Sequence, residues 1–246
     1  MVSCLESPLI TTHDTAGSFD STQLDLAELN TRFESATPQE ILAWAIATVP
    51  HLVQMTSFSM GAITHMLYNE LQAKLPVIFL DTLHLFPETL ETAEKAKALY
   101  GLDLRIYSPA TNRDDFIARY GDRLWEKDVV RFHQLTKVKP MHRALDDLSV
   151  QGWITGRRRD QSSNRQLMPI LELDKDRRLK INPLANWTHK DLWRYTFAQN
   201  VFYNPLHDQG YTSIGDQPLT TKVTVGEDER AGRWRGSSKT ECGIHG

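Results

Sequence analysis

The segment HLVQMTSFSMGAITHMLYNELQAKLPVIFLDTLHLFPETLETAEKAKALYG, residues 51–101, decides how the chain is read, because it alternates between two hydrophobic periods. His51 to Thr56 is an apolar run of strand length. Gly61 to Ala73 carries Ile63, Met66, Leu67 and Leu71 on one side at helical spacing. Pro76 to Leu80 is nearly all apolar, as expected of a strand covered on both faces. Pro87 to Tyr100 reads as a helix stopped by Gly101. Strand, helix, strand, helix at this spacing predicts an α/β fold built on a doubly wound parallel sheet.

The pattern continues outward. Asp103 to Tyr107 reads as a third strand, and helical stretches follow around Asp114 to Tyr120 and over Pro140 to Leu148. These lead into a strand at Gly152 to Thr155. Leu171 to Leu173 and Leu179 to Ile181 form a hairpin pattern closed by Asp174-Lys175-Asp176, and Thr188 caps a helix through Gln199, with Asp191 completing the box. Upstream, Thr37-Pro38-Gln39-Glu40 is a capping box that opens a helix through Thr48, and Leu24, Leu26, Leu29 and Phe33 recur at roughly helical spacing. Three regions result. Residues 1–20, rich in Ser and Thr and without period, read as a mobile arm. Residues 21–210 read as the α/β domain, and residues 211–246, Gly-rich and without period, as a flexible tail.

Composition narrows the function. The 246 residues are 40% hydrophobic and 24% charged with a net charge of -3, so no global basic field attracts nucleic acid and any anion site is local. The longest apolar run, Ile41 to Val49, is far short of a membrane span. No Lys or Arg precedes Arg32, which argues against a secretory or transit segment and makes the cytoplasm the default location. Two cysteines, Cys4 and Cys242, cannot build a disulfide framework or a four-thiolate metal site within one chain, and no His pair has ligand spacing, so no metal or cofactor is expected.

Ligands of doubly wound sheets bind beyond the carboxyl ends of the strands. The first such loop holds Ser57, Ser59 and Gly61, where amides and hydroxyls at a helix start favour an anion; an ordinary Ser-rich cap gives the same pattern. The second holds Asp81 and Thr82. Asp81 can accept from ribose hydroxyls or an adenine amino group, or simply cap the next helix. The third reads Gly156-Arg157-Arg158-Arg159-Asp160-Gln161-Ser162, a plausible anion clamp since Arg pairs bidentately with phosphate and sulfate; a solvated charge run is the alternative. Lys137 precedes the helix at Pro140. Arg230, Arg233, Arg235 and Lys239 lie within a dozen positions of Cys242.

Cys242 sits in the polar segment Lys239-Thr240-Glu241-Cys242-Gly243-Ile244-His245, unlike a structural cysteine on an apolar element. A free thiol ionises near about 8.5, and lowering that by about two units takes on the order of 2.7 kcal/mol, which the neighbouring arginines with His245 could supply. An incidental surface cysteine is the competing reading.

Four segments, Thr56 to Gly61, Asp81 to Thr89, Gly156 to Ser162 and Lys239 to His245, together resemble the phosphoadenylyl-sulfate reductase family, with Ile244 where Leu is usual. The resemblance implies a sheet of the adenine-nucleotide alpha-hydrolase-like type. It also implies that 3′-phosphoadenylyl sulfate is the substrate, that Cys242 is a nucleophile forming an S-sulfocysteine, and that thioredoxin or glutaredoxin is the electron donor. A homodimer is usual in the family. Lys137 corresponds to the lysine of the family's K-V-x-P segment, Arg230 and Arg233 to its paired tail arginines, and Gly156, Arg158, Arg159, Gln161 and Ser162 to its G-x-R-R-x-Q-S, leaving Arg157 at the variable position. The sister adenylyl-sulfate reductases hold a [4Fe–4S] cluster on cysteines that would fall at Phe132, His133, Asp216 and Leu219; none is cysteine here, so the resemblance is to the cluster-free branch. Three rivals stand beside this reading: an adenylyl-sulfate reductase, an ATP pyrophosphatase, whose S-G-G-x-D-S loop is not matched by Ser57-Phe58-Ser59-Met60-Gly61-Ala62, and a non-catalytic nucleotide-binding module.

Overall fold

The computed structural model describes residues 19–224, 226–235, 239 and 241–245. The arm expected over residues 1–20 therefore falls, up to residue 18, outside the described residues, as does Cys4; Phe19 packs against the core.

Six strands form one sheet: β1 Leu52–Thr56, β2 Val77–Leu80, β3 Leu104–Tyr107, β4 Gly152–Ile154, β5 Leu171–Leu173 and β6 Leu179–Ile181. Their order is β3-β2-β1-β4-β6-β5, parallel throughout except for the β5–β6 hairpin. Gln54 pairs with Val77 on one side of β1, and Leu52 pairs with Gly152 on the other. The chain runs from β1 out to β2 and β3, then returns to β4 on the opposite flank. The switch point thus lies between β1 and β4.

Each face of the sheet buries its own cluster, and β1 alternates between them. Leu52 joins Leu42, Met66, Leu67 and Leu192 on one face, whereas Val53 and Met55 join Met141, Leu145 and Trp153 on the other. The first cluster takes residues from helices α2 Pro38–Thr48 and α9 His189–Ala198; α1 Leu26–Phe33 lies against β5. At the start of α2 both halves of the expected capping box form, with Thr37 N donating to Glu40 Oε2 at 2.7 Å and Glu40 N to Thr37 Oγ1 at 3.3 Å.

Helix α3 Ala62–His65 continues as π turns over Met66–Glu70 and stops short of the expected Ala73, because Gln72 turns the chain with φ 53°. Helix α4 Pro87–Tyr100 matches its expected span, closed by Gly101 at φ 61°, which an L side chain adopts only at a cost.

After α5 Arg113–Tyr120 comes helical structure that periodicity missed. Helices α6 Leu124–Lys127 and α7 Val129–His133 are too short to show a period, and α7 runs through π turns at Gln134–Val138 into α8 Lys139–Asp147. A regular helix would have residue 140 donate to the Thr136 carbonyl. Pro140 has no N–H to give, and the turns preceding it are widened.

The tail, expected to be flexible, has described residues that pack against the rest of the chain. Trp234 is 2% exposed and Asp216 fully buried, and Ile214 packs with Phe86 and Leu206. Isolated bridges join Leu85 to Asp216 and Thr220 to Arg233. Among its described residues the segment has one short helical turn, Gln217–Leu219, so no period announces its packing.

Candidate active site

A cavity of about 250 Å³ opens beyond the carboxyl ends of β1, β2 and β4, lined by Thr56, Leu80 and Thr155. Ser57 and Ser59 face it. Between them Phe58 adopts φ 52°, and its ring is wholly buried, 5.1 Å from Phe79 edge-on. One apolar side chain driven into the core leaves the two flanking serines to line the cavity. Ser59 Oγ is 2.9 Å from His207 Nε2, and burial pushes the His207 imidazole down to about 4, so it is neutral.

Gly61 and Asp81, both expected to meet ligand, do not line the cavity. The Gly61 amide donates to the Phe202 carbonyl at 3.1 Å, and a Cβ there would strike the Phe202 ring at 2.5 Å; the residue serves close packing. Asp81 Oδ1 accepts from Leu83 N at 2.9 Å and stabilises a turn in which Leu83 has φ 63°. Thr82 does line the cavity, while its hydroxyl accepts from His84 N.

The three consecutive arginines divide differently from the expected pair. Arg159 leaves the site to pair with Glu34 at 2.7 Å and to donate to the Met168 carbonyl at 2.7 Å. Arg157 and Arg158 face the cavity, with Gly156 and Gln161. Arg157 donates to Asn182 Oδ1 and pairs with Glu172; Arg158, 2% exposed, pairs with Asp160 at 2.9 Å and with Glu229. A 3₁₀ turn over Arg159–Gln161 points successive side chains apart, which removes Arg159 from its neighbours. A further arginine, Arg165, lines the same wall.

Lys137, on the π turns before α8, lines the cavity with its Nζ 2.7 Å from Asp216 Oδ2. His133 Nε2 lies 3.3 Å from the same oxygen. The four positions at which the sister branch would carry cysteines thus converge. His133 meets Asp216, and Phe132 and Leu219 share an apolar cluster. Among the described residues no group of three or more His, Cys, Asp or Glu is placed to hold a metal ion.

The tail brings Arg230, Arg233, Glu241, Cys242 and His245 to this wall. Glu241 accepts from Arg165 Nε and Nη2, at 2.7 and 2.8 Å, and from Arg230 Nη2 at 3.2 Å. Burial pushes the Glu241 carboxyl up, but Arg165 and Arg230 override that and hold it below its ordinary range. Burial brings the Arg230 guanidinium down to about 10, still cationic at neutral pH, and Cys242 lies near both Arg230 and Arg233. The Nε of Arg233 is buried without a hydrogen-bond partner among the described residues, as is Oε1 of Gln54, another lining residue; a polar ligand can use both.

The expectation that His245 adds a cation beside Cys242 is corrected. Its ring stacks on Trp153, with centroids 5.7 Å apart and planes 9° apart, and its carbonyl accepts from Lys180 Nζ at 3.3 Å. Burial, reinforced by Arg157, Arg165 and Lys180, keeps the imidazole well below its ordinary value and therefore neutral. His245 seats the end of the tail. Arg157 and Glu241 lie inside segments singled out by sequence but were not picked as ligand residues, and Arg165, Glu229 and His207 were missed; Arg165 could have been found as a fourth arginine in the same polar segment, while Glu229 and His207 show no local signal.

Comparison with known proteins gives the site a context. Residues 51–222 match the family described as phosphoadenosine phosphosulfate reductase domain. The phosphoadenosine phosphosulfate reductase of Saccharomyces cerevisiae is 46% identical, covering 85% of this chain and 84% of its own. Among solved structures, the phosphoadenylyl-sulfate (PAPS) reductase from Candida auris, a phosphate complex, superposes with a TM-score of 0.74 at 37% identity, over 84% of this chain and 100% of that one. The FMN adenylyltransferase of Candida glabrata shares the fold alone, at a TM-score of 0.58 and 14% identity over 93% of this chain and 81% of that one. The mostly parallel sheet is thus of the adenine-nucleotide alpha-hydrolase-like type.

Proposed function

Because the chain belongs to the phosphoadenosine phosphosulfate reductase family and is an enzyme reducing 3′-phosphoadenylyl sulfate in sulfate assimilation, we propose that Cys242 is its nucleophile. The supporting observation is that Cys242 shares one cavity with Lys137 and five arginines, Arg157, Arg158, Arg165, Arg230 and Arg233. The Cys242 thiolate attacks the sulfonyl sulfur, the sulfur–oxygen bond to phosphate breaks, and adenosine 3′,5′-bisphosphate leaves with the electron pair. Lys137 and the tail arginines offset the repulsion between thiolate and phosphosulfate and stabilise the leaving phosphate. Ser57, Ser59, Thr82, Gly156, Arg158 and Gln161 hold the nucleotide.

The S-sulfocysteine then needs an external thiol. A thiolate of thioredoxin or glutaredoxin attacks the Cys242 sulfur and expels sulfite. Its second thiol resolves the mixed disulfide, so the dithiol supplies two electrons. Such chemistry fits a reducing compartment, the cytoplasm. The family resemblance further implies a homodimer, which sedimentation velocity tests.

Intact-mass analysis after incubation with 3′-phosphoadenylyl sulfate and no reductant tests the reading. One sulfonate per chain, mapped to Cys242, is expected, together with one equivalent of bisphosphate and no sulfite. Reduced thioredoxin or glutaredoxin should then give turnover, unchanged by Cys4→Ser. Catalytic sulfite release without a donor would overturn the external-thiol step.

A further inference from the structure

Among the described residues of the tail, Asp216 is the one whose carboxylate is fully buried and whose contacts lead to the cavity only through other side chains. Its backbone is fixed from two directions. Residue 216 bridges Leu85 in the loop after β2, and Gln217 N donates to the His84 carbonyl at 2.8 Å. Its own carbonyl accepts from Thr220 Oγ1 at 2.8 Å. The carboxylate is therefore held at a fixed point behind the cavity wall.

Lys137 depends on such a point. A lysine ammonium sits on a flexible four-carbon stem and has no preferred direction of its own. Here it lines a cavity with five arginines, whose repulsion drives it outward. Its Nζ nevertheless lies 2.7 Å from Asp216 Oδ2, and Lys137 is only 8% exposed. The π turns before Pro140 aim the stem inward, and the carboxylate fixes where the charge ends. Fold stability does not account for the pair, since desolvating two ions offsets most of their attraction.

We propose that Asp216 is a positioning residue for the reaction: it sets the Lys137 ammonium against the phosphosulfate, with His133 as its second buried neighbour. The proposal rests on the role given to Lys137 above. Burial alone would push the Asp216 carboxyl up, and Lys137 and His133 overcome this and hold it ionised. Arg233, which donates to Ser213 Oγ and the Ile214 carbonyl, lies within electrostatic reach of the same carboxylate.

The test is a double-mutant cycle on the full chain, read as the single-turnover rate of bisphosphate release without reductant and as the Kd of adenosine 3′,5′-bisphosphate. Asp216→Asn should slow release by about thirtyfold while the Kd changes by less than about threefold. In a Lys137→Met background, Asp216→Asn should add less than about twofold. Should Asp216→Asn fail to fold, Asp216→Glu keeps the charge and displaces it by one methylene. It should fold, with a lowered melting temperature, and slow release by about tenfold. A wild-type rate in a folded Asp216 variant, or losses that multiply in the double mutant, overturns the proposal. A wild-type rate in Lys137→Met overturns the role of Lys137 itself, a result distinguishable from both.

Discussion

Below the cavity, β1, β2 and β4 bury Val53, Ile78, Trp153 and their neighbours in apolar layers, and the strands end in loops whose hydroxyls and amides line the site. Above it, the described residues of the tail bury Asp216 and half-bury Arg230, Arg233 and Glu241 in ion pairs and charge-assisted contacts. Apolar burial is non-directional and sets a rigid frame, whereas buried ions are worth their desolvation only in one geometry. On the proposed function, the sheet side supplies the floor for the nucleotide together with Lys137, Arg157, Arg158 and Arg165, and the tail adds Arg230, Arg233 and the thiol. The difference separates binding from chemistry, and it can be broken experimentally.

The largest expected effect lies wholly in the tail. Cys242→Ser should cut sulfite production at least about a thousandfold, because a hydroxyl is far less ionised than a thiol. The Kd of the bisphosphate, measured by calorimetry, should stay within about twofold. Substantial turnover in the variant, or lost nucleotide binding, would erase the division of labour.

Acid should act next most strongly, at the seam between the two regions. Burial holds His84, His133, His207 and His245 below their ordinary range, His207 at about 4. The unfolded chain takes up these protons near pH 6.5 and the folded one does not. Stability is therefore complete above pH 6.5 and declines as pH falls toward 4, by about 3 kcal/mol for His207 alone. Urea unfolding across this range checks the slope, and His207→Gln should flatten it; a slope equal to wild type would deny His207 its buried neutral state.

Neighbouring arginines sharpen the comparison within one loop. Arg158→Gln should raise KM for 3′-phosphoadenylyl sulfate about tenfold with a smaller change in kcat, as expected for ground-state binding. Arg159→Gln, which breaks the contact with Glu34, should leave KM within about twofold and lower the melting temperature. Equal KM effects would return Arg159 to the site.

The smallest effect distinguishes a seat from a cation. His245→Phe preserves an aromatic face on Trp153 and should keep kcat/KM within about threefold, whereas His245→Ala, which loses the stack, should cost more. A loss in His245→Phe as deep as that in His245→Ala would show that the imidazole nitrogens matter.

Much of this molecule was legible before folding. Strand and helix periods placed β1 through β4, the hairpin and α4 within a residue or two, since buried elements write their period into the chain. Parallel topology then pointed to the strand ends, where the cavity lies, and the polar surroundings of Cys242 singled out the nucleophile candidate. Short helices before α8 stayed hidden, because four or five residues carry too little period. Only the tertiary structure decided which of two adjacent arginines turns inward, that Asp81 and Gly61 serve a turn and a packing contact, that His245 is neutral, and that a tail without period folds over the sheet. The reason is physical. Hydrophobic burial repeats along the chain at the period of its element, but an ion pair such as Lys137–Asp216 joins residues far apart in sequence and exists only once three-dimensional packing has brought them together.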